Sequence, residues 1–144
     1  MQLSTKGRYA VMAMTDLAGQ LAGQTAVPLA AIAERQQLSL AYLEQLFARL
    51  RRAGLVESVR GPGGGYRLAR SAEETTIAEV VTAVDEPLKA TRCAGHGGGC
   101  MQGGARCLTH DLWAETGRII HDYFAGISLA DIAEGRLRKP AQAA

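Results

Sequence analysis

The chain has no apolar run approaching the roughly eighteen residues that cross a bilayer, which argues against a membrane-spanning helix. Its opening residues, Met1 to Lys6, carry no apolar stretch of the secretory-leader kind, so the expected compartment is the reducing cytoplasm, with no membrane partner. Cysteine is scarce. There are three, and all of them fall between residues 93 and 107. A disulfide framework has nothing to pair with elsewhere, and an odd count in a reducing compartment points to metal ligation or redox chemistry. There is no internal repeat. No paired acid and base and no substrate site are readable, and the glycine-rich run at 61–65 lies in no βαβ unit, so a dinucleotide fold is excluded. The chain does not read as an enzyme.

What is present suits a small globular protein. The 144 residues are 47% apolar, enough for a core. The net charge of +2 hides an asymmetry: residues 1–70 hold nine Lys/Arg against four Asp/Glu, and residues 71–144 hold seven against ten. A basic first half is suited to a phosphate backbone, although such a balance is also compatible with ordinary surface variation.

The apolar spacing predicts a mainly α chain. Tyr9, Met12, Met14, Leu17 and Leu21 mark a helix over 7–22, ended by Gly23. After Pro28, a short helix over 29–36 meets a tight turn at Gln37-Leu38, and Ser39 caps a helix from Leu40 to about Ala53 whose apolar stripe is Leu43, Leu46, Phe47 and Leu50. Two alternating runs, 55–59 and 66–69, flank Arg60-Gly61-Pro62-Gly63-Gly64-Gly65, which reads as a hairpin. A helix-turn-helix followed by a basic hairpin is a winged helix-turn-helix with a two-stranded wing. Thr76 to Glu79 and Ser128 to Asp131 have capping-box spacing and open short helices, and residues 110–125 form a longer one. The expected organisation is a DNA-binding domain over 1–86, a cluster-binding loop over 87–109, a dimerisation helix and short terminal helix over 110–135, and a loose tail over 136–144.

A helix of this kind enters the major groove and presents its first turns to base edges. The candidate DNA-binding residues are therefore Ser39, Ala41, Tyr42, Glu44 and Gln45, with Arg49, Arg51 and Arg52 nearer the phosphates. In the wing, Gly61, Gly63, Gly64 and Gly65 permit backbone conformations closed to other residues and allow close approach to a groove, and Arg60 suits a narrow minor groove. The bland alternative is a surface helix and a flexible hairpin.

The cysteine segment is spaced Cys93-x6-Cys100-x6-Cys107-x2-His110 within a glycine-rich loop. Thiolates bind soft metals and iron–sulfur clusters. Structural zinc usually takes two close ligand pairs, and only Cys107/His110 is close here. An iron–sulfur cluster, zinc and metal-free thiols all remain open, with Arg92 and Arg106 placed to offset thiolate charge. Three Cys and one His can hold a 2Fe–2S cluster. His110 and His96 are the rival fourth ligands; His121 reads as a surface or interface residue. The helix at 110–125 carries Leu112, Trp113, Ile119, Ile120, Tyr123 and Phe124, more apolar surface than one buried side requires, which suggests a homodimer reading palindromic double-stranded DNA.

The segments LSTKGRYA (3–10), SLAYLEQLF (39–47), RGPGGGY (60–66), AVDE (83–86) and CLTHDLW (107–113) carry a resemblance. They resemble the IscR-type regulators, the iron–sulfur-sensing branch of a winged-helix repressor family that also contains nitric-oxide and redox sensors. The resemblance covers about residues 1–135, and the Cys-Leu-Thr-His run favours this branch over the nitric-oxide sensors. It implies a 2Fe–2S cluster on Cys93, Cys100, Cys107 and His110, and a homodimer loaded by the iron–sulfur assembly machinery. It also implies repression of assembly genes, a role for Glu44 in telling site classes apart, and minor-groove contacts from Arg60 and the wing. Each gap between cysteines here is one residue longer than in the family pattern. A redox or nitric-oxide sensor with another cluster, or an electron carrier that binds no DNA, are the alternatives.

Overall fold

The structure is a computed structural model that describes residues 4–21, 25–84 and 99–137. In chain order its elements are α1 (Thr5–Gln20), α2 (Leu29–Gln36), α3 (Leu40–Arg52), β1 (Val56–Val59), β2 (Gly65–Leu68), α4 (Ile77–Ala83), α5 (His110–Ala125) and α6 (Leu129–Ala133). Each predicted element is present with ends shifted by a residue or two, and the winged-helix architecture stands.

Local chemistry sets the boundaries. Pro28 opens α2, and Gln37 closes it in the left-handed region at φ 54°, its N–H bonding back to Ala33 and Glu34. The Ser39 hydroxyl accepts from the Tyr42 N–H and starts α3. Full capping boxes form at Thr76/Glu79 and Ser128/Asp131. These satisfy N–H groups that a helix start otherwise leaves without partners.

One core holds the winged helix together. It is built from Ala13, Met14 and Leu17 of α1, Ile32 of α2, Leu43, Leu46, Phe47 and Leu50 of α3, Val56 of β1, and Val80, Val81 and Val84 at α4. Burying side chains of this size contributes about 1.5–3 kcal/mol each. Asp16 of α1, only 3% exposed at its side chain, takes a bidentate bond from Arg35 and a third from Gln36 Nε2 at 2.7 Å. This clamps the end of α2 to α1. The strands pair antiparallel, Val56 with Leu68 through Val59 with Gly65. Val27 adds a bridge to Tyr66, with both N···O distances 2.9 Å, a pairing that no alternation around Val27 announces.

Leu129 of α6 is fully buried against α1, and Ser128 bridges Thr76, so α6 joins the winged-helix core although the sequence groups it with the dimer helix. By contrast, α5 packs chiefly on α4, and its one buried residue is Gly117.

Candidate nucleic-acid interface and metal centre

The recognition helix has two sharply different faces. Leu43, Leu46, Phe47 and Leu50 point into the core, while Ala41, Glu44, Gln45, Arg51 and Arg52 are exposed on the other side. Ser39 is engaged as the cap. Tyr42 is half-buried, with its ring edge-on to Tyr9 of α1 at 5.9 Å, so packing holds it at the margin of the exposed face. Arg49 is half-buried, and its Nη1 donates to the Val84 carbonyl at 3.2 Å. Arg51 Nη1 reaches the Ser58 hydroxyl of β1 at 3.5 Å.

The wing is fixed to that helix from inside. Tyr66 of β2 meets Phe47 of α3 edge-on, with ring centroids 5.0 Å apart. Its turn leaves Arg60, Gly61 and Gly63 exposed at the tip, and the Gly64 N–H donates to the Gly61 carbonyl at 2.9 Å. Glycine is required at 65, where φ is 152° and a Cβ would lie 2.3 Å from the Val27 carbonyl oxygen. Arg67 is held by Glu57 across the strand pair at 2.9 Å, leaving Arg60 as the arginine at the tip. The exposed basic tip thus lies in the wing that packs on α3, whose outer face is also exposed.

In the thiol segment, Arg92, Cys93 and His96 lie outside the described residues. Residues 99–105 fold back on themselves: the Gly99 N–H donates to Gly104 and the Met101 N–H to Ala105, both at 3.1 Å. A Cβ at Gly99 would lie 2.2 Å from the Ala105 carbonyl oxygen, so this turn closes only with glycine there. The turn brings Cys100 Sγ to 3.0 Å from His110 Nδ1, at the first residue of α5. Cys107 sits at the entry to the same helix, its carbonyl accepting from the His110 N–H at 3.1 Å and its Sγ 3.8 Å from the Thr109 hydroxyl. No disulfide joins Cys100 to Cys107. Among the described residues no three His, Cys, Asp or Glu side chains converge as one metal site. A thiol against an imidazole, with a second thiol at the same helix entry, nevertheless suits a soft metal or an iron–sulfur cluster better than a hard cation. Arg106 lies 3.6 Å from Asp111, with both side chains exposed. His121 is exposed beside Asp122, well along α5 from His110.

Most of the large apolar residues of α5 are open. Leu112, Trp113, Ile119 and Tyr123 are exposed, Ile120 is half-buried, and Phe124 rests on the core. At the foot of α5 an apolar groove of about 380 Å3 opens between Val11, Met12, Val81, Tyr123, Phe124 and Ile132.

The profile of the Rrf2 family, described as an iron-dependent transcriptional regulator, matches residues 3–135. The chain belongs to the Rrf2 family. Within it, the chain is 54% identical over 132 residues to an HTH-type transcriptional regulator IscR of Vibrio campbellii, covering 92% of this chain and 77% of that one. It is 54% identical over 136 residues to an IscR of Photorhabdus laumondii, covering 94% and 81%. Among solved structures it resembles T. potens IscR, with TM-score 0.76, 37% identity, and coverage of 100% of this chain and 93% of that one. It also resembles CymR, the global cysteine regulator of B. subtilis, with TM-score 0.78, 29% identity, and coverage of 94% and 98%. This Rrf2 protein is a DNA-binding transcriptional regulator of winged-helix fold, not an enzyme.

Proposed function

We propose that the chain is a homodimeric repressor whose promoter binding is governed by a 2Fe–2S cluster held by Cys93, Cys100, Cys107 and His110. The observation that carries this reading is the approach of Cys100 Sγ to His110 Nδ1 at 3.0 Å, from two segments that only the 99–105 turn brings together. The similarity to IscR regulators and the iron-dependent description of the family support it. Bound there, the cluster supplies a redox couple whose potential a histidine ligand raises. The chain's own residues do the rest. Gly99 permits the turn, and Thr109 positions Trp113 by accepting from its Nε1–H at 3.2 Å. Control of DNA binding requires only that the two cluster states differ in how they bias the DNA-binding conformations.

The exposed apolar face of α5 and the groove at its foot, which share Tyr123, seat a second copy. Two copies place two recognition helices and two wings on successive turns of a palindromic promoter site. Target genes for iron–sulfur assembly, the assembly machinery as cluster donor and a cytoplasmic location belong to the same reading. No helix among the described residues is long and apolar enough to cross a membrane.

Anaerobic purification with iron and acid-labile sulfide assays tests the centre. A coloured protein with iron and sulfide in equal amounts is expected, with colour lost in Cys100→Ala and His110→Ala and kept in His96→Ala. Colourless, iron-free protein overturns the reading. Loss of colour in His96→Ala with retention in His110→Ala exchanges the fourth ligand.

A further inference from the structure

Three arginines close the recognition helix, and the fold gives them different surroundings. Arg51 and Arg52 are exposed, and Arg51 leans toward Ser58 in the wing. Arg49 turns the other way, onto the carbonyl of Val84 at 3.2 Å. Val84 is fully buried and is the residue that caps the C-terminus of α4. A helix ends with carbonyls that have no partner inside the helix, and its C-terminal end attracts positive charge. The guanidinium therefore supplies what the end of α4 lacks. Its planar donors also hold one geometry better than an ammonium would. α4 in turn packs against α5, which begins at His110.

We infer that Arg49 is a positioning residue for DNA binding, which seats the recognition helix on the end of α4 and does not itself contact a phosphate. A phosphate contact and a positioning contact differ in what they leave behind. Losing a phosphate contact weakens binding to all sequences and lowers the salt slope by about one. Losing the seat tilts the recognition helix, so base readout suffers while backbone attraction remains.

The test uses full-length protein, a duplex carrying the site it selects from a random pool, and an unrelated duplex of equal length. Affinity for each is measured across salt, well below the melting midpoint. In Arg49→Gln, affinity for the selected site falls about tenfold or more, affinity for the unrelated duplex is unchanged, and the slope matches wild type. Arg52→Gln serves as the contrast: both affinities fall and the slope drops by about one. The inference is overturned if Arg49→Gln behaves as Arg52→Gln, or if it binds the selected site as wild type does. If Arg49→Gln fails to unfold cooperatively, Arg49→Lys is read instead: selective loss upholds the seat, and wild-type binding overturns it. Wild type that selects no site at any salt removes DNA binding itself, a failure visible before any variant is made.

Discussion

Single residues carry much of the geometry of both surfaces. Gly65 is one, because a Cβ there would run into the Val27 backbone and break the bridge that anchors the wing. Gly65→Ala is expected to cost about 1–3 kcal/mol by chemical denaturation and to weaken promoter binding beyond that loss. A variant as stable and as tight as wild type removes the close-approach argument. Gln37 points the other way. It is the one described residue other than glycine with positive φ, at 54°, in the turn of the helix-turn-helix. A left-handed backbone costs an L side chain about 1–2 kcal/mol, part of which glycine recovers. Gln37→Gly should therefore stabilise by up to about 1 kcal/mol, and a lower denaturation midpoint would show that the side chain contributes more than its strain. The wing glycines, Gly65 among them, read as positions of special backbone conformation, but nothing in the sequence announced the approach of Gly65 to Val27, and glutamine gives no sign of a left-handed turn.

Helix starts concentrate stability at the scale of the element. Thr76 caps α4 and Glu79 reaches back to the Thr76 N–H at 2.9 Å. Burial by itself would push the Glu79 carboxyl up, but bonds from the Thr76 backbone, Arg70 and the Thr76 hydroxyl together hold it below the ordinary glutamate range. The unfolded chain then takes the proton more readily as pH falls. The stabilisation is complete above the ordinary glutamate range and disappears as pH drops through the folded value. Denaturation of wild type and Glu79→Gln should thus differ at neutral pH and converge as pH falls below the ordinary glutamate range, and a constant difference would show that charge is not what Glu79 contributes. Thr76→Ala should cost about 1 kcal/mol at neutral pH. The capping boxes were legible because their spacing is local. The placement of α6 in the core was not, since it depends on the Thr76–Ser128 bridge between distant parts of the chain.

For the whole molecule, the anomaly is a sixteen-residue helix on which Leu112, Trp113, Ile119 and Tyr123 remain open. Trp113→Glu and Ile119→Glu place charge on that face without touching the core. Both should sediment as monomers, and binding to a two-half-site duplex should fall by about tenfold or more, while half-site binding is kept. Dimers with full affinity would place the interface elsewhere.

The amino-acid order alone determined the element types, their caps, the winged helix-turn-helix and the set of possible metal donors, because each depends on periodicity or on neighbours a few residues apart. Tertiary packing decided which of those residues face outward and which are turned inward. It drew Arg49 onto Val84 and left Arg51 and Arg52 exposed, although all three share one basic turn. It also closed the 99–105 turn that brings Cys100 to His110, ten residues apart in the chain. Such choices depend on which groups are left without a partner when helices meet, and spacing along the chain does not show that.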